Sequence, residues 1–98
     1  MYFINKGEIM NIKIENISFY RIAYFRQIGP YGWDNIQTME KLKKWAKANG
    51  LLNEQSIILG IAHDNPELVE PENCRYDTCL VISNDYCISD DYISDGNI

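Results

Sequence analysis

Hydrophobic and polar positions change their spacing several times along this chain. Residues 16–28, NISFYRIAYFRQI, alternate and are dense in aromatic and β-branched side chains, which predicts a strand. Gly29-Pro30 ends it, because proline cannot donate to a sheet ladder. From about Trp33 to Asn49 the apolar positions recur every three to four residues: Ile36, Met39, Leu42 or Lys43, and Ala46. With Lys and Glu between them, this predicts a helix that stops at Asn49-Gly50. SIILGIAH at 56–63 predicts a second strand, closed by the turn signal Asp64-Asn65-Pro66. NPELVEPEN at 65–73 reads as an exposed loop, and CRYDTCLVIS at 74–83 as a third strand.

The predicted class is α+β: a strand-helix-strand-strand module with an antiparallel sheet and one helix on one face. Both faces of this sheet carry apolar residues. The first strand offers Phe19, Ala23 and Phe25 on one side and Tyr20, Ile22, Tyr24 and Ile28 on the other. The second offers Ile57, Leu59 and Ile61 against Ile58, Gly60 and Ala62. A helix of roughly 17 residues is about 25 Å long and covers one face only. A second copy of the chain, or a further module, is expected over the other.

Composition bounds the function. The chain has 98 residues, 46% apolar and 23% charged, which is one ordinary globular domain with a modest core. A net charge of −5 argues against nucleic acid as the main partner. Lys41, Lys43, Lys44 and Lys47 read as the solvated face of the helix. Neither a signal peptide nor a bilayer-spanning run is recognised, so no membrane association is expected. Cys74, Cys79 and Cys87 lack metal-ligand spacing and suggest free thiols in a reducing cytoplasm. No cofactor, metal site or catalytic group is expected.

The segments RQIGPYGW, LKKWAKANGLL and ILGIAHDNPELVEPENCRYDTCLVI together resemble, in order and spacing, the GyrI-like (gyrase-inhibitor-like) ligand-binding family. This family includes effector-binding domains attached to AraC-type and MerR-type multidrug regulators. The resemblance rests on the Gly29-Pro30-Tyr31 turn, the Trp45 helix, the turn from Gly60 to Asp64-Asn65-Pro66, and Arg75-Tyr76-Asp77. It implies a module carried twice in the family, with bulky aromatic or cationic ligands held between the halves. The resemblance covers only a first module. It divides the chain into an N-terminal extension (1–15), a half-domain (16–83), and an acidic tail or the start of a missing second module (84–98). The acidic residue that many relatives turn towards a cationic ligand would lie in the second half, so no residue here inherits that role. A homodimer that rebuilds the double module is one expectation, and a truncated chain the other.

The candidate ligand-binding residues are Tyr31, Trp33, Trp45, Tyr24, Tyr76 and His63. Aromatic rings can stack on, or cage, a flat or cationic ligand in an apolar groove. For Tyr31 and Trp33 the competing reading is packing of the strand-to-helix corner, and for Trp45 it is core packing. Tyr24 and Tyr76 lie on sheet faces, where a buried hydroxyl needs a polar partner. His63 and Asp64 are adjacent in an extended segment and so point to opposite faces, which argues against a catalytic pair. Asp64 is assigned to the turn. Arg75 and Asp77 share a strand face, could pair with each other or with neighbouring strands, and are assigned a structural role. The expected function is binding of a hydrophobic or cationic small molecule, without catalysis. Alternatives are a protein-interaction module or a hydrolase of strained electrophiles.

Overall fold

The computed structural model describes residues 20–98 in full, together with the backbone of two N-terminal strands, β1 (Tyr2–Lys6) and β2 (Ile9–Asn11). The first part of the predicted strand at 16–28 lies outside the described residues; the described part is β3 (Arg21–Ile28). Helix α1 (Trp33–Ala48), β4 (Ile58–Ala62) and β5 (Arg75–Ile82) follow as expected, with a short 3-10 turn at Pro71–Asn73 before β5. A further strand, β6 (Ser94–Asn97), closes the order.

All the pairings are antiparallel and the sheet runs β2-β1-β4-β5-β3-β6. β4 and β5, joined through residues 63–74, are antiparallel neighbours, and β3 pairs with β5 on its other side. Two segments without a clear sequence pattern extend this core. The β1–β2 hairpin lies on the β4 edge, and β6 pairs with β3.

The helix begins at Gly32, whose φ of 141° favours glycine and whose carbonyl accepts the Asn35 and Ile36 amides. It ends in a Schellman arrangement: Gly50, at φ 69°, donates to Lys47 and Leu51 donates to Ala46. Its buried residues are Leu42, Trp45 and Ala46. They pack on Ala23, Phe25, Ile58, Leu80, Ile82 and Ile93. Each large apolar side chain buried here contributes roughly 1.5–3 kcal/mol. Ile36, expected on the buried stripe, is instead 55% exposed, because the sheet supports only the later turns of the stripe.

The segment after β5 is held in place by specific contacts. Tyr86 and Ile88 pack against the helix-side core, Ile93 is buried, and Tyr92 stacks on Phe25 with ring centroids 6.3 Å apart. Arg21 clamps both ends of the segment. Nη1 donates to the carbonyls of Ser83, Asn84 and Tyr86, while Nε and Nη2 donate to Asp95 at 3.0 and 2.8 Å.

Candidate functional site

The helix covers one face of the sheet, and the other carries a second cluster built from alternate residues of the same strands. Ile22, Leu59, Ile61 and Cys79 are buried there, with Tyr20, Tyr24, Ile57, Val81 and Ile98 packed against them. Strand alternation produces this directly: Ile22 and Tyr24 lie opposite Val81 and Cys79, while Ala23 and Phe25 lie opposite Leu80 and Thr78 on the helix side.

A groove of about 430 Å³ opens on this second face, lined by Ile22, Tyr24, Arg26, Ile61, His63 and Asp77 among others. β6 supplies one wall. Gly96 lies opposite Ile22 in the ladder, and a β-carbon there would come within 2.9 Å of Tyr24 Cε1. The glycine therefore lets the tyrosine ring approach the strand closely.

The polar end of the groove is a three-residue cluster. Asp77 is 4% exposed, yet both its oxygens are engaged. Arg26 donates from Nε to Oδ1 at 2.8 Å and from Nη2 to Oδ2 at 2.9 Å, a two-point fork. His63 Nε2 lies 2.7 Å from Oδ2. Burial alone would raise the Asp77 pKa, but the hydrogen bonds from Arg26 and His63 and their charges outweigh it, and the carboxyl sits below its ordinary value. The Arg26 guanidinium is raised further above its ordinary value, chiefly by the hydrogen bond to Asp77. It also lies 5.8 Å from the centroid of the Tyr24 ring. Beneath the groove, burial pushes the Cys79 thiol up to about 12, so it is inert packing.

The six residues expected at a binding site fall in four places. Tyr24 and His63 line the groove. Tyr31 ties the strand-to-helix corner to the β4–β5 turn: its hydroxyl donates to the Arg75 carbonyl at 2.7 Å and accepts the Asp64 amide at 3.1 Å. Tyr76 meets Tyr31 edge-on and lies directly over Gly60. Trp45 is buried under the helix, with Nε1 donating to Asp90 at 2.9 Å. Trp33 stands 69% exposed at the helix start.

Asp64 and His63 diverge as extended backbone requires. Asp64 receives the Arg75 amide at 2.7 Å and the Arg75 side chain at 3.0 Å. These bonds lower its pKa to about 2. Arg75 and Asp77 thus pair with partners on other segments and not with each other. Arg26 was not singled out from the sequence. Its signal was a cation two residues from Tyr24, in step with Ile22 and Tyr24 on the face the helix leaves open.

Among the described residues no cluster of His, Cys, Asp or Glu could hold a metal ion, and no helix is long and apolar enough to cross a membrane.

One sheet face sealed by a helix and the other open and grooved define a binding module of the α+β class. Residues 10–94 match the family model described as the GyrI-like small molecule binding domain, and the chain belongs to that family. It is 46% identical over 78 residues to the "SPbeta prophage-derived putative transcriptional regulator YosT" of Bacillus subtilis strain 168, covering 79% of this chain and 52% of that protein. It is also similar to proteins named DNA gyrase inhibitor. That of Cronobacter sakazakii is 30% identical, with 86% of this chain and 52% of the relative covered. That of Citrobacter rodentium is 27% identical, with 81% and 49% covered. The chain spans about half the length of the curated relatives it matches.

Proposed function

We propose that this chain is a non-enzymatic module that takes up a hydrophobic small molecule, as an effector-binding part of a regulator would. The observation that carries the reading is the groove on the helix-free face. Its volume of about 430 Å³ lies within the range of small-molecule sites, and it combines apolar walls with a few convergent polar groups. Burial of the ligand against Ile22, Ile61 and the Tyr24 ring would supply the affinity, and the Arg26–Asp77–His63 cluster the orientation.

The test is a panel of flat aromatic compounds, neutral, cationic and anionic, followed by amide shifts of Gly96 and Ala62 and by melting temperature. Saturable shifts at those amides support the reading. A panel that leaves both observables unchanged up to millimolar concentration counts against it.

A second reading, protein binding, draws on the relatives named DNA gyrase inhibitor and on two exposed apolar side chains, Trp33 and Ile36, in the first helical turn. Capture of gyrase by this chain, abolished by Trp33→Ala with Ile36→Ala, would favour it. The hydrolytic alternative has less support, because the groove carboxylate is already held by Arg26 and His63. Self-association into a homodimer and a cytoplasmic setting belong to the same proposal. Sedimentation showing a strict monomer at tens of micromolar would remove the homodimer.

A further inference from the structure

The charges inside the groove, read one hydrogen-bonding group at a time, narrow the ligand class. Asp77 is the only acidic side chain among the described lining residues, and it has no free face. Arg26 occupies both oxygens, His63 shares one of them, and the carboxylate is almost wholly buried. A cation entering the groove would have to displace Arg26 from a two-point fork, leaving a guanidinium beside it. Arg26 is placed differently. Its side chain is 38% exposed, and only two of its five N–H groups are used on Asp77. The guanidinium that carries the remaining donors lies beside the Tyr24 ring, in the groove that Ile22 and Ile61 also line.

We infer that the groove selects an aromatic or otherwise apolar molecule bearing a carboxylate, with the apolar body on Tyr24, Ile22 and Ile61 and the carboxylate on the Arg26 N–H groups not used on Asp77. This rests on the groove being the binding site and goes beyond it by fixing the sign of the ligand. The net charge of −5 argues the other way only at long range. Charges spread over the surface are screened within about 8–10 Å at physiological salt, whereas a guanidinium in contact is not. A charge-assisted contact of this kind is roughly twice as strong as a neutral one. Asp77 keeps its part as the anchor that holds the guanidinium in place.

Three probes of one shape test this: 1-naphthoate, 1-naphthalenemethanol and 1-naphthylmethylammonium, titrated against the chain with the Gly96 and Ala62 amides as reporters. Naphthoate is expected to bind at least about ten-fold tighter than the neutral alcohol, and the ammonium most weakly. Arg26→Gln alone strands a buried carboxylate and can unfold the chain, so it is paired with Asp77→Asn. In that double variant the anion's advantage should fall to about one-fold while the alcohol still binds. An ammonium that binds best, equal affinities for all three, or an advantage that survives the double variant overturns the inference and leaves the groove reading standing. Failure of all three probes to bind overturns both.

Discussion

His63 and Asp77, fourteen residues apart in sequence, meet at 2.7 Å on the open face of the sheet. Arg26 completes the cluster from β3. The carboxylate is buried and accepts from both neighbours, so Asp77→Asn turns one acceptor into an amide that faces two donors. The variant is expected to lose about 2–4 kcal/mol of stability, since breaking a buried charge pair leaves its partner uncompensated. Urea unfolding of the two proteins measures this, and a loss below about 0.5 kcal/mol would show that the cluster is not buried in solution.

Tyr31→Phe separates a corner role from a ligand role. The hydroxyl bridges the Arg75 carbonyl and the Asp64 amide, so its removal should cost about 1–2 kcal/mol. Probe affinity in the groove should stay within about two-fold, because Tyr31 is not among the groove's lining residues. An affinity loss much larger than this, with unchanged stability, would place the ligand at the corner instead.

Gly60→Ala is expected to destabilise by about 1–3 kcal/mol, as overpacking does. The new methyl group would collide with the Tyr76 hydroxyl and lie 2.9 Å from Cζ of that ring. Adding Tyr76→Phe removes the hydroxyl but not the ring, so the double variant should recover part of the loss. A double-mutant cycle by denaturant titration reads the coupling, and strict additivity would refute the contact.

Arg21→Gln should loosen the return from Ser83 to Asp95, which this one guanidinium ties at both ends. Faster hydrogen exchange in 84–98 is the expected result, with β4 and β5 little changed. Uniformly faster exchange would mean that the return is part of the global folding unit.

Acid should weaken the fold in a defined window. Asp64 has its pKa lowered to about 2 from an ordinary 3.8 by the Arg75 hydrogen bonds. A carboxylate depressed in the folded state contributes stability that is fully present above the unfolded value and is lost as pH falls through the folded one. The contribution of Asp64 is therefore present above about pH 4 and disappears towards pH 2. Asp77 is shifted in the same direction. Melting temperature followed from about pH 5 down to pH 2 should fall less steeply in Asp64→Asn than in the parent chain. Parallel curves would refute the pairing.

The sequence alone was enough for the strand-helix-strand-strand order, since each element carries its own period. Gly29-Pro30, Asn49-Gly50 and Asp64-Asn65-Pro66 mark the joints by local backbone chemistry. Strand alternation also foretold two apolar faces and the divergence of His63 from Asp64. Local pattern failed where an element depends on its neighbours. Ser94–Asn97 has little strand propensity, yet it forms β6 because β3 offers it an edge and Arg21 holds Asp95. The N-terminal hairpin is likewise recruited by the edge of β4. The groove was the least legible feature. Tyr24 and His63 could be named from their chemistry, but their meeting with Arg26 and Asp77 joins β3 and β5 to the residue just past β4. Register decides that meeting, and register is fixed by the burial of whole faces, not by any one segment.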